Sequence, residues 1–320
     1  MTGISAQCGH IGWQIRNAVL GDRLGSNFGL SFPLQLQNNT SSTYLFAHET
    51  VINDNGVELN GEPGDPGVAE NAASAIREAG GRAVSSADSI ADPETASKLV
   101  ELAVGEFGRL DAWANAQTIT RDRMLFNMSD EEWSEVVSVD LGGTFYAMRA
   151  ALRHMKQQKS GRLLNLISTS GLIGNFGQAN YAASKAGAFG LTRVAALEMQ
   201  RYGVSVNCVA PFAHTRMTES IKGVTPEQLS YLEKARRAKV SHITPFLAYL
   251  LSERAEGISG QVFGARGCEV FLFSQPRLVQ TQQRPGGWSD DSIHEALDEL
   301  RPSFVRLETD LELFQSDPVV

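Results

Sequence analysis

The segment YAASK, Tyr181 to Lys185, carries the clearest chemical signal in the sequence. A tyrosine and a lysine four residues apart share one face of a helix, so the ammonium can sit near the phenol. A positive charge there lowers the tyrosine pKa and brings a weak acid toward proton exchange near neutrality. Upstream, Ser168 ends GRLLNLIS (161–168), a nearly continuous apolar run bounded by Gly161 and a Ser/Thr cluster. Such a run reads as a strand buried on both faces. Open α/β sheets present functional groups at the C-terminal ends of their strands. Ser168 is therefore placed to hold a substrate oxygen while Tyr181 gives or takes the proton. A lone Tyr-x-x-x-Lys pairing is common on helix surfaces; the preceding buried strand and Ser168 give this one weight.

The elements that must position these residues alternate in type. Residues 66–80 have helical apolar spacing and stop on a glycine pair. GRAVSSA is a short strand, and DPETASKLVELAVGEFG an amphipathic helix with Asp92 as its N-cap. LDAWANA follows as a strand, then 130–155 as a long helix with acidic residues in its first turn, which suits the helix dipole. After Ser168 come a helix over 180–202, the buried strand VSVNCVAP and a last strand region, GQVFGARGCEVFLF. The fold class is α/β: a doubly wound, mostly parallel, Rossmann-like sheet with helices on both faces and a C-terminal extension. Residues 1–275 read as one domain with an atypical first βα unit in 1–50. In 28–50, Pro33 and the polar run NNTSSTY leave room only for a short or broken helix. Residues 276–320 read as an arm with one helix, packed on a neighbouring surface.

Composition narrows the function classes. The 320 residues are 42% hydrophobic and 20% charged, with a net charge of −8, which argues against nucleic acid and anionic membranes as partners. No apolar run is long enough to span a bilayer, and the N-terminus lacks the basic start and apolar core of a signal peptide. Cys8, Cys208 and Cys268 form no CxxC pair, as expected for a reduced, cytoplasmic chain with no disulfide framework or zinc site. The six histidines show no metal-binding spacing, so no metal is expected.

Residues 51–275 resemble the short-chain dehydrogenase/reductases. The stretch LLNLISTSGLIGNFGQANYAASKAGAFGLTRVAALEMQRYGVSVNCVAP is similar to that family's catalytic strand, catalytic helix and following strand. TRDRMLFNMSDEEWSEVVSVDLGGTF and the tail GQVFGARGCEVFLFSQPR are similar to members acting on 3-hydroxyacyl-thioesters or steroid-like substrates. The resemblance implies a catalytic set of Ser168, Tyr181 and Lys185, with Tyr181 as acid/base. The family's proton-relay asparagine falls at Asp140. Its cofactor-binding glycine loop, TGxxxGxG, corresponds best to LGDRLGSN, which keeps Gly21 and Gly25 but has Asn27 in place of the last glycine. That glycine lets a helix N-terminus approach a pyrophosphate, and Asn27 would crowd it. Asp54 could bond a ribose hydroxyl, and Asn115 of ANAQ stands where NNAG would shape the cofactor floor. Ser89 stands at the adenine-contacting aspartate, and Pro211-Phe212 replaces Pro-Gly. The lid region 212–246 and its surroundings offer Phe176, Phe212, His214 and Met217 as substrate-binding residues, which suits an apolar carbonyl compound or an acyl-thioester.

Changes clustered at the dinucleotide positions, beside an intact Ser–Tyr–Lys set, lead the sequence reading toward non-redox acid/base chemistry. Isomerase, lyase, dehydratase and cyclase types all fit, with no cofactor expected. The alternatives are an NAD(H)-dependent hydroxyacyl or ketone oxidoreductase with an unusual phosphate loop, and a cofactor-free subunit of a heteromer. Apolar surface in FYAMRAAL and AFGLTRVAALEM, together with the resemblance, implies a homodimer or homotetramer, or a heteromer with a cofactor-binding relative.

Overall fold

Leu163 and Leu164 are neighbours in sequence but belong to two different cores, because successive strand residues point to opposite faces. Their strand lies mid-sheet and is covered on both sides, which is why its sequence is apolar without alternation. The computed structural model describes residues 17–21, 49–215, 218, 225–314 and 316–320. Among these, β1 (Asn17–Gly21), β2 (Glu49–Asn53), β3 (Arg82–Ser86), β4 (Ala112–Asn115), β5 (Gly161–Leu166), β6 (Val204–Phe212), β7 (Val262–Arg266) and β8 (Glu269–Leu272) form one sheet. Its order is β3-β2-β1-β4-β5-β6-β7-β8.

On one face, α2 (Thr95–Phe107), α4 (Gly143–Gln158) and α6 (Ala179–Met199) pack against Val51, Trp113, Leu163 and Val206. On the other face, α8 (Val240–Leu251) places Ile243 and Leu247 against Leu164, Val209 and Ala265. Helix α1 (Val68–Glu78) buries Ala69, Ala73 and Ile76 against Ile52 and Ala83. Strands β2 to β3 and β4 to β7 pair in parallel, so the doubly wound expectation holds for the central sheet. No described helix is long and apolar enough to cross a membrane.

Four details differ from the sequence reading. The long helix is real but not uniform: α3 (Asp130–Val136) runs into a π-helical turn, Val137–Gly142, before α4. Asp92 is not the N-cap of α2; Glu94 holds that position, and the Asp92 carboxylate accepts the Glu94 N–H at 2.9 Å in the turn before it. The last strand region is a hairpin, with Gly267 (φ 55°) turning β7 back into antiparallel β8. Finally, β1 pairs antiparallel with both β2 and β4. The broken helix expected over 28–50 lies outside the described residues, apart from its last two positions, which begin β2.

Candidate active site

Ser168 stands two residues beyond β5, at the edge where the parallel strands end. Its Oγ accepts the Ser170 N–H at 3.1 Å and shares a hydrogen bond with the Tyr181 hydroxyl. The short helix α5 (Ser170–Ile173) then leads toward α6. Gly171 lies so close to α6 that a Cβ there would fall 2.7 Å from Ala186 N and 2.8 Å from Lys185 C. The start of α6 is fixed by Asn180, which is fully buried. Its amide donates to the Arg121 and Glu132 carbonyls at 3.1 and 2.9 Å, and its Oδ1 accepts the Tyr181 N–H at 2.8 Å. Tyr181 and Lys185 therefore leave one face of a clamped first turn, as their spacing predicts. Sequence reasoning missed Gly171 and Asn180; the only sequence-level hint was their position between Ser168 and Lys185.

The Lys185 ammonium is buried and lies 5.5 Å from the centre of the Tyr181 ring. It donates to the Gln117 carbonyl at 3.1 Å and pairs with Asp140 Oδ2 at 3.1 Å. Asp140 sits in the π-turn, wholly buried, and such turns often mark functional positions. Its carboxylate also accepts the Thr118 hydroxyl at 2.6 Å and the Ile119 N–H at 3.0 Å. Burial and then the Asp140 charge hold the Tyr181 hydroxyl above its ordinary pKa, and the Ser168 hydrogen bond works the other way. The tyrosine is thus a neutral acid in this state, beside a cation already paired. That arrangement can donate a proton to a carbonyl oxygen held by Ser168, or withdraw one from a hydroxyl when the charge balance around Lys185 changes.

The cofactor positions do not all come together. Asp54 follows β2 at the same sheet edge as Ser168, buried, with Oδ1 accepting the Gly56 N–H at 2.8 Å. A small recess beside it is lined by Asn53, Asn55, Asp88, Ser89, Ile90 and Val139. Asp88 was passed over in the sequence, although it stands two residues beyond β3 at this functional edge; Asn53 Nδ2 donates to its carbonyl at 2.9 Å. Gly21 is elsewhere. As the last residue of antiparallel β1 it pairs with Glu49, the first residue of β2, while Leu20 pairs with Ala112, the first of β4. The opposite edge of the sheet therefore receives it, and Gly25 lies outside the described residues. Asn115 turns inward: its Oδ1 accepts the Trp113 indole N–H at 2.6 Å, and its amide donates to Asn165 Oδ1 at 2.7 Å. The Asn165 amide bonds Thr192 Oγ1 at 2.8 Å, so these groups tie β4, β5 and α6 together inside the core.

On the substrate side, Phe212 ends β6 with its ring 5.4 Å from that of Tyr231 on α7 (Pro226–Arg237) and 5.2 Å from that of Phe314. His214 is half-buried, with its Nδ1 3.4 Å from Thr218 Oγ1. Phe176 is 78% exposed, in the turn between α5 and α6, and lines no part of this cluster. Met217 lies outside the described residues.

Residues 65–224 match the family model for short chain dehydrogenase. The chain is 39% identical over 238 residues to a hydroxyacyl-CoA dehydrogenase of Mycobacterium tuberculosis, covering 71% of this chain and 72% of that protein. It is 36% identical over 220 residues to the peroxisomal hydratase-dehydrogenase-epimerase of Neurospora crassa; the match takes in 69% of this chain and spans only 23% of that longer protein. A solved short chain dehydrogenase from Mycobacterium avium superposes with a TM-score of 0.68 at 32% identity, over 81% of this chain and 87% of that one. With a parallel sheet presenting Ser168, Tyr181 and Lys185 at one edge, and with these relatives, the chain belongs to the short-chain dehydrogenase family.

Proposed function

We propose that the protein is an NAD(H)-dependent oxidoreductase that interconverts a 3-hydroxyacyl thioester, or a similar secondary alcohol, with its ketone. The observation that carries this reading is the grouping of half-buried Ser168 with buried Tyr181 and Lys185, in a chain with a relative named as a hydroxyacyl-CoA dehydrogenase. It corrects the emphasis of the sequence reading, which favoured non-redox chemistry and expected no cofactor.

One end of a dinucleotide has support: Asp54 follows β2 beside a small recess lined by Asp88, Ser89 and Ile90, which sets a carboxylate and an apolar side chain where a ribose and an adenine would approach. Asp54 favours NAD over NADP, since its charge repels a 2′-phosphate. When bound, NAD(H) supplies or accepts the hydride. The chain's own part is to hold the substrate oxygen at Ser168 and move a proton at the Tyr181 hydroxyl. Lys185 stabilises the Tyr181 phenolate, which forms when the hydroxyl gives its proton to a carbonyl oxygen and takes the alcohol proton in the oxidation direction, and Asp140 keeps Lys185 in place.

A second reading rests on Gly21. With that glycine at the far edge of the sheet, the turn expected to hold a pyrophosphate does not meet Asp54, and the N–H of the nearby Gly56 is already taken by the Asp54 carboxylate. Acid/base chemistry by Tyr181 without hydride transfer is the reading this favours. Calorimetric titration with NADH and then NADPH separates the two. NADH binding, followed by NADH oxidation on adding a 3-oxoacyl thioester, supports the oxidoreductase; no binding at millimolar cofactor rejects it and leaves the non-redox reading.

A homo-oligomer is part of the proposal. Phe145 on α4, and Val194 and Leu197 on α6, are 41%, 53% and 75% exposed, while Ala147, Ala151 and Ala195 on the same helices are buried in the chain's own core. Exposed apolar side chains on two adjacent helices suit pairing with a second copy. Sedimentation velocity tests it, with a monomer counting against it.

A further inference from the structure

The C-terminal arm was expected to pack on some neighbouring surface; its last residues return to the candidate active site of the same chain. Phe314 is buried against Phe212 and Phe271, with ring centres 5.2 and 6.0 Å away, and under the Arg266 guanidinium. Arg266 donates to the Ser316 carbonyl and hydroxyl at 3.1 and 2.9 Å. The Asp317 carboxylate is held by Lys234 and Arg237 of α7 at 3.5 and 3.1 Å, and the Val319 carbonyl accepts the Cys268 N–H at 2.7 Å. Four separate attachments within six residues fix this segment, so its placement does not depend on any single one.

The arm's first helix, α9 (Asp290–Leu300), is followed by the short α10 (Asp310–Leu313), and the segment carries Asp310, the first residue of α10, into the site. The hydrogen-bond partner of its carboxyl is Thr169, the residue after Ser168. The other oxygen, Oδ1, is shut off from solvent and has no hydrogen-bond partner. Burial raises this carboxyl above its usual range, and its charge acts on both Tyr231 and Tyr181. Arg266 is already engaged by Glu269 at 2.8 Å and by Ser316. A buried, unmatched carboxyl oxygen is destabilising by itself. It persists beside a reactive serine and tyrosine, where an incoming molecule could meet it.

We propose that residues 309–314 and 316–320 form one wall of the substrate site and that Asp310 is its specificity-determining residue, accepting a hydrogen bond from a neutral donor, an amide N–H or a hydroxyl, on the substrate. This rests on the reading of Ser168 and Tyr181 as the place where the substrate oxygen sits, and not on hydride transfer. Asp310 also disfavours a substrate that brings a carboxylate to the same place, because two like charges would share a desolvated site.

Three 3-oxobutanoyl compounds of similar size test it in the full-length protein: acetoacetamide, which carries an N–H donor, methyl acetoacetate, which has none, and acetoacetate, which is anionic. Dissociation constants are read by ligand-observed NMR, which needs no turnover. The expected order is amide tighter than ester by about tenfold, with the anion weakest. Asp310→Ala should bring the amide and the ester level. Asp310→Asn, whose amide oxygen still accepts, should keep the amide preference and admit the anion. Phe314→Ala, which releases the wall while leaving Asp310 in the chain, should also erase the preference, and circular dichroism melting checks that each variant remains folded. Equal affinity for amide and ester in the unmodified protein, the same preference in Asp310→Ala, or no binding by any of the three would overturn the proposal. NADH oxidation is measured alongside: a protein that binds in the expected order but oxidises no NADH upholds the role of Asp310 while rejecting the proposed redox function.

Discussion

Lys185 and Asp140 form an ion pair 3.1 Å long with both side chains buried, one on the candidate catalytic helix and the other in the π-turn facing it. Two charges out of water persist only when geometry and further hydrogen bonds compensate. Here Thr118, the Ile119 N–H and the Gln117 carbonyl supply them. Asp140→Ala should therefore cost about 3–5 kcal/mol, because it leaves a buried ammonium without its counter-charge. Urea unfolding of the two proteins measures it. Asp140→Asn should cost less and show itself in the chemistry. Since the Asp140 charge raises Tyr181, its removal should move the rise of kcat/KM for alcohol oxidation to lower pH.

Tyr181→Phe should reduce turnover by about 10²–10⁴-fold, the usual worth of a positioned acid/base, while the buried ring preserves the fold. Full activity in this variant would sink the acid/base role under both the redox and the non-redox reading.

The same residue has a signature in alkaline stability. Its folded pKa lies above the ordinary 10.0, so its contribution to stability is fully present below about pH 10 and is lost as pH rises further. The unfolded chain releases its proton first, which favours unfolding. Tyr181→Phe should make stability less dependent on pH above 10 in denaturant titrations. Tyr231, also held up by burial, should keep part of the slope in place.

Gly171→Ala tests the contact between α5 and α6. The new methyl would meet backbone atoms of Lys185 and Ala186 at 2.7–2.8 Å, so one element must shift. A loss of about 1–3 kcal/mol is expected, with a fall in kcat larger than any change in NADH affinity. An unchanged kcat would show that α6 moves without disturbing Tyr181 and Lys185.

Asp54→Asn separates charge from shape, since an amide oxygen can still accept the Gly56 N–H. If Asp54 meets a ribose, the variant should bind NADH about tenfold more weakly and discriminate less against NADPH. Calorimetry on both proteins gives the two ratios, and an unaltered pair of affinities would remove Asp54 from the cofactor site.

The sequence by itself determined the parallel core and the meeting of Tyr181 and Lys185. Both are local consequences: apolar runs such as GRLLNL become strands buried on two faces, and residues four apart share a helix face. It also singled out Asp140, although nothing local says that its carboxylate reaches Lys185 rather than solvent. Tertiary structure decided the rest. Asn115 read as a cofactor-floor residue, but a single sequence does not show that Trp113 and Asn165 close around it. Gly21 read as part of a phosphate turn, but strand direction follows from pairing with β2 and β4, and a residue's type does not encode it. Phe176 and Phe212 are alike as side chains, yet one is exposed in a turn and the other lies under Phe314, a residue 102 positions further along the chain. Asp310 was the least visible of all. It sits in an acidic, unremarkable segment, and only the attachments of Phe314, Ser316 and Asp317 bring it beside Thr169.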